Sequence, residues 1–83
     1  MKKEIKEIER LTKIIKELRD KCPWDRKQTM KSLRSLTIEE VFELSDAIIN
    51  KDDKNIEEEL GDLLLHIIFY AQIGSEKNIF NLE

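Results

Sequence analysis

Apolar residues in the first twenty positions recur at steps of three and four. They are Ile5, Ile8, Leu11, Ile14, Ile15 and Leu18. Lysines and glutamates occupy most of the positions between them, a pattern typical of an amphipathic helix with one buried and one solvated side. We therefore predict a first helix from Lys2 to about Asp20, and we assign no function to its charged face.

The stretch CPWDRKQT interrupts this pattern and holds the only cysteine, proline and tryptophan of the chain. Proline disfavours helical backbone at the residue before it and has no N–H to donate. The first helix should therefore end at or before Cys22, and we predict a loop that begins there.

A second helix is predicted on the far side of this loop. The spacing of a capping box occurs twice, in Asp25 with Gln28 and in Thr37 with Glu40. Either pair could mark the start of the helix. We place its secure part from Thr37 to about Asn50, with a lead-in from Thr29, and expect a short polar turn at residues 51–54.

The third predicted helix runs from about Asp53 to Ser75 and ends near Gly74, a residue well suited to a C-terminal cap. Its second half, LLLHIIFYAQI, is apolar nearly all round. A small domain can hardly cover such a segment alone, so we expect symmetry mates to pack on it in a helical bundle. A homodimer and a homotetramer both satisfy this expectation.

The length, composition and net charge of the chain limit its domain count, its fold class and its binding partners. Its 83 residues suffice for a single domain, residues 1–83, and are 40% hydrophobic and 40% charged with only two glycines and one proline. This balance favours an all-α protein, a helical hairpin protomer of three helices. The net charge of −3 argues against binding to polymeric nucleic acid.

The cysteine count and the N-terminus indicate the compartment. One cysteine cannot form an intrachain disulfide, and MKKEIKEIER lacks the apolar stretch of a signal peptide. The longest nearly apolar run, residues 63–73, is too short to span a bilayer. We expect a cytoplasmic protein without a membrane segment.

Acidic residues form two groups with matching spacing. The second helix carries Glu39, Glu40 and Glu43, and the third carries Glu58, Glu59 and Asp62. At about 100° per residue, the members of each group share one side of their helix. If the two helices pack antiparallel, four to six carboxylates meet and repel one another unless a cation neutralises them. Oxygen-only clusters of this kind suit Mg²⁺ or Mn²⁺ better than Zn²⁺.

Glutamate is also a good helix former, and either group alone could be an ordinary exposed face. Both groups, however, adjoin an apolar stripe of their helix. The stripes are Val41, Leu44 and Ile48 on the second helix and Leu60, Leu63 and Ile67 on the third. The carboxylates therefore lie at the border of the core, where a metal site is a stronger interpretation than solvated charge.

The order of motifs is specific: CPWD, then QT, SL, EExxE and finally ExxD, with fifteen residues between Glu43 and the start of ExxD at Glu59. This order resembles the MazG family of nucleoside triphosphate pyrophosphohydrolases, and the resemblance covers nearly the whole chain. It implies an all-α fold whose subunits join into helical bundles. It also implies Mg²⁺-dependent hydrolysis of an NTP or dNTP to the monophosphate and pyrophosphate, an activity that cleans the nucleotide pool.

The resemblance assigns roles to single residues. The metal ligands would be Glu40, Glu43, Glu59 and Asp62. Glu39 and Glu58 are the flanking acids, and we assign Glu39 to orient or deprotonate the attacking water. Four further candidates come from the residues themselves. His66, one turn beyond Asp62, either packs in the core or supports the ligands, and Trp24 either stacks on a nucleobase or closes the end of the bundle. Lys27 and Arg34 either bind phosphates or are solvated charges.

Two departures from the family pattern limit these expectations. Position 30, often histidine in the family, is Met30 here. Family domains also continue into another helix with basic residues, so we expect this sequence to lack that C-terminal helix, and its activity by itself is in question. Two alternatives stay open: a catalytically weak or silent helical module that oligomerises and binds a protein, and the related phosphoribosyl-ATP pyrophosphohydrolase.

Overall fold

A computed structural model describes all 83 residues as four α-helices without a strand. They are α1 (Lys2–Lys21), α2 (Pro23–Lys27), α3 (Met30–Ile49) and α4 (Asp53–Glu76). The all-α prediction is confirmed, but the predicted number of three helices is wrong. None of the four helices combines the length and the apolar character that crossing a membrane requires.

The additional helix, α2, lies within the predicted loop. Cys22 is extended (φ −92°, ψ 118°), as expected before a proline, and α1 ends one residue earlier. Pro23 then occupies the start of α2, where its fixed φ fits a helix and its missing N–H costs nothing. The same proline therefore ends one helix and begins the next.

Helix α3 begins seven residues before the predicted start at Thr37. Thr29 is its N-cap: the Thr29 side chain accepts a hydrogen bond from the Ser32 N–H (3.0 Å), and Ser32 Oγ accepts one from the Thr29 N–H (2.8 Å). Neither predicted capping box begins this helix, since Asp25 lies in α2 and Thr37 lies inside α3. The sequence did not indicate the true box because Ser32 takes the place of the usual Glu or Gln. The predicted lead-in from Thr29 is part of the helix.

Helices α3 and α4 are each followed, two residues after the last helical residue, by a left-handed residue that is not glycine. Lys51 (φ 54°) and Asn78 (φ 57°) occupy these positions. After α4, the Ile79 N–H donates to the Gly74 carbonyl and the Asn78 N–H to the Ser75 carbonyl, both at 3.0 Å, which is a Schellman motif.

Gly74 is therefore not the terminal cap that the sequence predicts. It lies inside α4 and is buried, because the ring of Phe80 folds back onto it. A Cβ atom at this position would overlap that ring. The glycine is needed here for close approach and not for a positive φ.

The core lies where α1 and α3 pack on the C-terminal half of α4. Helices α3 and α4 are joined by a three-residue turn and form an antiparallel hairpin. The buried cluster consists of Ile15, Leu33, Ile68, Phe69 and Ile73. Only 7 of the 83 residues are buried, so the chain covers little of its own apolar surface.

Much of that surface lies on one side of the α3–α4 hairpin. We call it the outer apolar surface: Ile38, Val41, Phe42, Ile48 and Ile49 on α3, with Leu60, Leu64 and Ile67 on α4, all at least 36% exposed. At about 100° per residue, these side chains lie on the side opposite Glu43 and Asp62. The segment LLLHIIFYAQI is thus divided, because Ile68, Phe69 and Ile73 are covered within the chain.

Arg19 joins three of the helices. Its guanidinium donates to both carboxylate oxygens of Glu76 on α4 (2.6 and 3.0 Å) and to the Asp25 and Gln28 carbonyls (2.6 and 2.8 Å). It also lies 5.6 Å from the ring centroid of Phe69. Arg19 therefore fixes α2 against the C-terminal end of α4.

Candidate metal centre

The antiparallel hairpin brings acidic residues of α3 and α4 together. One carboxylate oxygen from each of Glu40, Glu43 and Glu59 lies within 4.8 Å of the other two. We call these three residues the carboxylate cluster. The two acidic groups therefore meet through three carboxylates, two from α3 and one from α4, and not through the four to six that the sequence predicts.

Two oxygen atoms of the cluster are buried without a partner. Glu40 Oε2 and Glu59 Oε2 are inaccessible to solvent and make no hydrogen bond. A buried, unpaired carboxylate oxygen is costly, because it has lost its water and gained nothing in exchange. Both atoms require a cation or a proton.

Electrostatics within the cluster favours neutralisation. The charge of Glu59 is the largest cause of a raised pKa at Glu43, with smaller contributions from Glu39 and Asp62. The pKa of Glu59 is raised chiefly by Glu40, which can accept a hydrogen bond from the protonated Glu59 carboxyl, and further by burial. Like charges held this close disfavour full ionisation.

These donors fit a hard divalent cation. All of them are carboxylate oxygens, which Mg²⁺ and Mn²⁺ prefer, and the cluster offers neither the nitrogen nor the sulfur typical of zinc. Asp62, the fourth predicted ligand, is exposed one turn beyond Glu59, and its charge acts on both Glu43 and Glu59. The roles of these four residues as ligands stay a prediction.

An open groove of about 300 Å³ adjoins the cluster on the side of the α3–α4 turn. Its lining is entirely acidic or neutral: Glu43, Asp46, Ala47, Asn50, Asp52, Asn55 and Glu59. A triphosphate would meet only negative or neutral groups there. It could approach these side chains only with cations that neutralise the charge.

The remaining predicted site residues lie around the cluster or away from it. Glu39 and Glu58 are exposed and outside the group of close oxygens. Trp24 (56% exposed) and Lys27 belong to α2, which Arg19 ties to Glu76, about 25 Å along α4 from Glu59. Arg34 is exposed on the first half of α3. The fold does not bring these three residues into contact with the carboxylates.

His66 makes an interaction that concerns the site. Its Nδ1 lies 2.7 Å from Thr37 Oγ1, and the same hydroxyl lies 2.6 Å from the Tyr70 hydroxyl. The sequence predicts no role at the site for either Thr37 or Tyr70; Thr37 is predicted only as a possible helix cap. Thr37 lies one turn before Glu40 on α3. If Glu40 pairs with Glu59 in an antiparallel hairpin, Thr37 must face the turns of α4 that follow Glu59, and this register would have pointed to His66 and Tyr70.

Comparison with known proteins identifies the family. The model of the MazG nucleotide pyrophosphohydrolase domain matches residues 28–83. The chain is 48% identical over 78 residues to the nucleoside triphosphate pyrophosphohydrolase/pyrophosphatase MazG of Thermotoga maritima, covering 92% of this chain and 31% of that protein. It is 41% identical over 80 residues to the nucleoside triphosphate pyrophosphohydrolase of Escherichia coli, covering 93% of this chain and 30% of the relative.

A third relative, the nucleoside triphosphate pyrophosphohydrolase of Mycolicibacterium smegmatis, is 40% identical over 63 residues, which are 76% of this chain and 19% of that protein. The chain thus spans less than a third of the length of each of these relatives. The family model nevertheless matches well over half of the chain, including α3, α4 and the whole carboxylate cluster. The chain therefore belongs to the MazG nucleotide pyrophosphohydrolase family.

Proposed function

We propose that this chain hydrolyses nucleoside triphosphates to the monophosphate and pyrophosphate with Mg²⁺, and so removes unwanted nucleotides from the pool. The observation that carries the proposal is the carboxylate cluster, in which Glu40 and Glu59 each keep a buried oxygen without a partner. The relatives named as nucleoside triphosphate pyrophosphohydrolases support the same activity.

Glu40, Glu43 and Glu59, with Asp62 beside them, would hold the cation. Mg²⁺, or Mn²⁺ in its place, supplies charge that screens the triphosphate from the carboxylates and stabilises the pyrophosphate as it leaves. The buried oxygens single out Glu40 and Glu59 among the acidic residues of the chain, because only these two have a carboxylate oxygen that lacks both water and a hydrogen bond. Glu43 is included because one of its oxygens lies within 4.8 Å of an oxygen of each of them.

Glu39 is the carboxylate that we assign to the attacking water. It lies next to Glu40 in the chain, is exposed, and is not one of the close oxygens, so it is free to accept a proton. The water oxygen bonds to the α-phosphorus as the bond from that phosphorus to the α,β-bridging oxygen breaks. Pyrophosphate leaves with the electron pair of that bond, one water proton passes to Glu39, and the other stays on the monophosphate oxygen until it is lost to solvent. Glu58, at the corresponding position of α4, would not bind the cation itself but would help to position the residues that do.

The same proposal includes a second copy of the chain as partner. The outer apolar surface is left uncovered, and Phe42 and Ile49 are 67% and 73% exposed. A protein that buries only 7 of 83 residues gains little from its own core, and an isologous helical interface would add the missing burial. We also place the chain in the cytoplasm, which agrees with its single free cysteine.

Release of pyrophosphate tests the activity. The chain is incubated with a panel of NTPs and dNTPs, once with Mg²⁺ and once with EDTA, and pyrophosphate and monophosphate are measured together. We expect both products in equal amounts with Mg²⁺ and neither with EDTA. Release of inorganic phosphate instead, or no release while Mg²⁺ binds, would contradict the proposed reaction for this chain.

A further inference from the structure

A three-way hydrogen-bonded contact lies beside the carboxylate cluster, at the half-buried hydroxyl of Thr37. Oγ1 of Thr37 is 3.1 Å from the Leu33 carbonyl oxygen, 2.7 Å from His66 Nδ1 and 2.6 Å from the Tyr70 hydroxyl. A threonine hydroxyl has one proton to donate and two lone pairs to accept with. The three contacts therefore constrain where the protons are.

Only one arrangement makes all three contacts hydrogen bonds. The Leu33 carbonyl brings no proton, so Thr37 must donate to it. The other two partners must then each donate to Thr37, which places protons on His66 Nδ1 and on the Tyr70 oxygen. Any other arrangement sets two oxygen or nitrogen lone pairs against each other at 3.1 Å or less.

The second ring nitrogen of His66 is free. Nε2 makes no hydrogen bond within the chain and is not among the buried atoms without a partner, so water reaches it. With Nδ1 protonated, a neutral ring leaves a lone pair on Nε2 and makes it an acceptor. His66 follows Asp62 by four residues, about 6 Å along the same side of α4.

We propose that Thr37 holds His66 in the Nδ1-protonated tautomer, and that His66 Nε2 accepts a hydrogen bond from the nucleoside part of the substrate. Ionised phosphate oxygens are acceptors only, so Nε2 pairs with a sugar hydroxyl or a base N–H instead. This inference rests on the proposed function. It orients the substrate, with the phosphates at the carboxylate cluster and the nucleoside one turn further along α4. Thr37 is then a positioning residue.

The tautomer is measurable without any activity. Since the chain has one histidine, the imidazole ¹⁵N signals in an NMR spectrum belong to His66 alone. We expect a protonated Nδ1 and an unprotonated Nε2 in the neutral ring of the wild-type chain. Thr37→Val should lose this preference, and Thr37→Ser should restore it. Thr12→Val is a matched control, because Thr12 makes only the bond to its own helix, to the Ile8 carbonyl (2.7 Å).

Ligand titration tests the recognition. With Mg²⁺ present, we expect UMP, CMP, AMP or GMP at millimolar concentration to shift the His66 Nε2 signal, and pyrophosphate to leave it in place. In kinetics, Thr37→Val and His66→Phe should raise KM about tenfold, the loss of roughly one hydrogen bond, with a much smaller change in kcat. Thr37→Ser should rescue KM.

Three results would overturn the inference. They are an Nε2-protonated tautomer in the wild type, a signal that responds to pyrophosphate and to no monophosphate, and an unchanged KM in both Thr37→Val and His66→Phe. The first two are independent of catalysis. An active enzyme with either of them keeps the proposed function and rejects the role of His66, whereas an inactive chain with the expected tautomer and monophosphate response rejects only the proposed function.

Discussion

Glu43 on α3 and Glu59 on α4 face each other across the hairpin, and the charge of Glu59 is the largest cause of the raised pKa of Glu43. Glu59 has a raised pKa as well, owing chiefly to Glu40. Without a cation, the fold therefore holds these carboxylates together against their mutual repulsion.

This repulsion gives the metal-free chain an unusual dependence on pH. The pKa values of Glu43 and Glu59 in the folded state are above the ordinary value of 4.5, which we take for the unfolded state. At a pH between the unfolded-state pKa and the folded-state pKa, the folded state therefore binds more protons than the unfolded state. Stability should therefore rise as the pH falls from 7 toward about 5. Urea unfolding in EDTA across this range measures the effect.

Glu59→Gln is the control for the pH prediction. It removes the repulsion, so it should raise the midpoint of unfolding at pH 7 in EDTA and flatten the dependence on pH. Below about pH 4.5 stability should fall in both proteins, because Glu76 has a lowered pKa through its bond to Arg19 and loses that bond on protonation. A metal-free wild type that loses stability steadily from pH 7 to 5 would contradict the prediction.

Arg19→Ala should destabilise the fold by about 2–4 kcal/mol. The Arg19 side chain is 11% exposed, and its removal takes away the donor that holds the Glu76 carboxylate and the carbonyl oxygens of Asp25, Arg26 and Gln28. Urea unfolding measures the change. Arg10→Ala removes an ion pair with Glu7 in which each side chain is more than half exposed, and it should change the unfolding midpoint far less than Arg19→Ala does. Equal effects of the two changes would contradict the structural role of Arg19.

The two glycines of α4 should respond oppositely to alanine. Gly61 has no atom within 4 Å of an added Cβ, so Gly61→Ala should stabilise the helix by about 0.5–1 kcal/mol. Gly74→Ala would collide with the Phe80 ring and should cost about 1–3 kcal/mol. In a Phe80→Ala background this cost should disappear. Similar thermal shifts for both glycine variants would show that Phe80 does not pack on Gly74.

If a second copy of the chain packs on the outer apolar surface, a charge introduced at Phe42 should disrupt the oligomer. Phe42→Asp places a charge in the middle of the surface and should convert the oligomer to a monomer, as measured by light scattering after size exclusion. Ile79→Ser is the control, because Ile79 is equally exposed (64%) but lies beyond α4 and outside this surface. A wild-type chain that is monomeric at all concentrations would contradict the proposed partner.

The sequence was sufficient for the all-α class, the family and the positions of the acidic residues, because helical periodicity and motif spacing are local signals. It was insufficient where a local rule had several solutions. Ser32 replaces glutamate in a capping box, Pro23 begins a helix as well as ending one, and Asn78 replaces the expected glycine at the end of α4. In each case the residue found is chemically able to fill the position, but it is not the residue or role that the local rule predicts.

Contacts between distant residues were the other limit. The bond from Arg19 to Glu76 spans 57 positions, and the contact of Thr37 with His66 spans 29. No spacing rule reports such pairs. The carboxylate cluster was predictable because each acidic group has its own sequence motif. The contact of Thr37 with His66 can be predicted only when the register of α3 against α4 is known.

Mg²⁺ binding by the carboxylate cluster tests the central claim most directly. Isothermal titration is carried out on the wild type, on Glu43→Gln and on Glu57→Gln, which alters an exposed acid of α4 outside the cluster. We predict that Glu43→Gln weakens Mg²⁺ binding at least tenfold and that Glu57→Gln leaves it unchanged. Equal binding by all three proteins, or no binding by the wild type, would contradict a metal site at Glu40, Glu43 and Glu59.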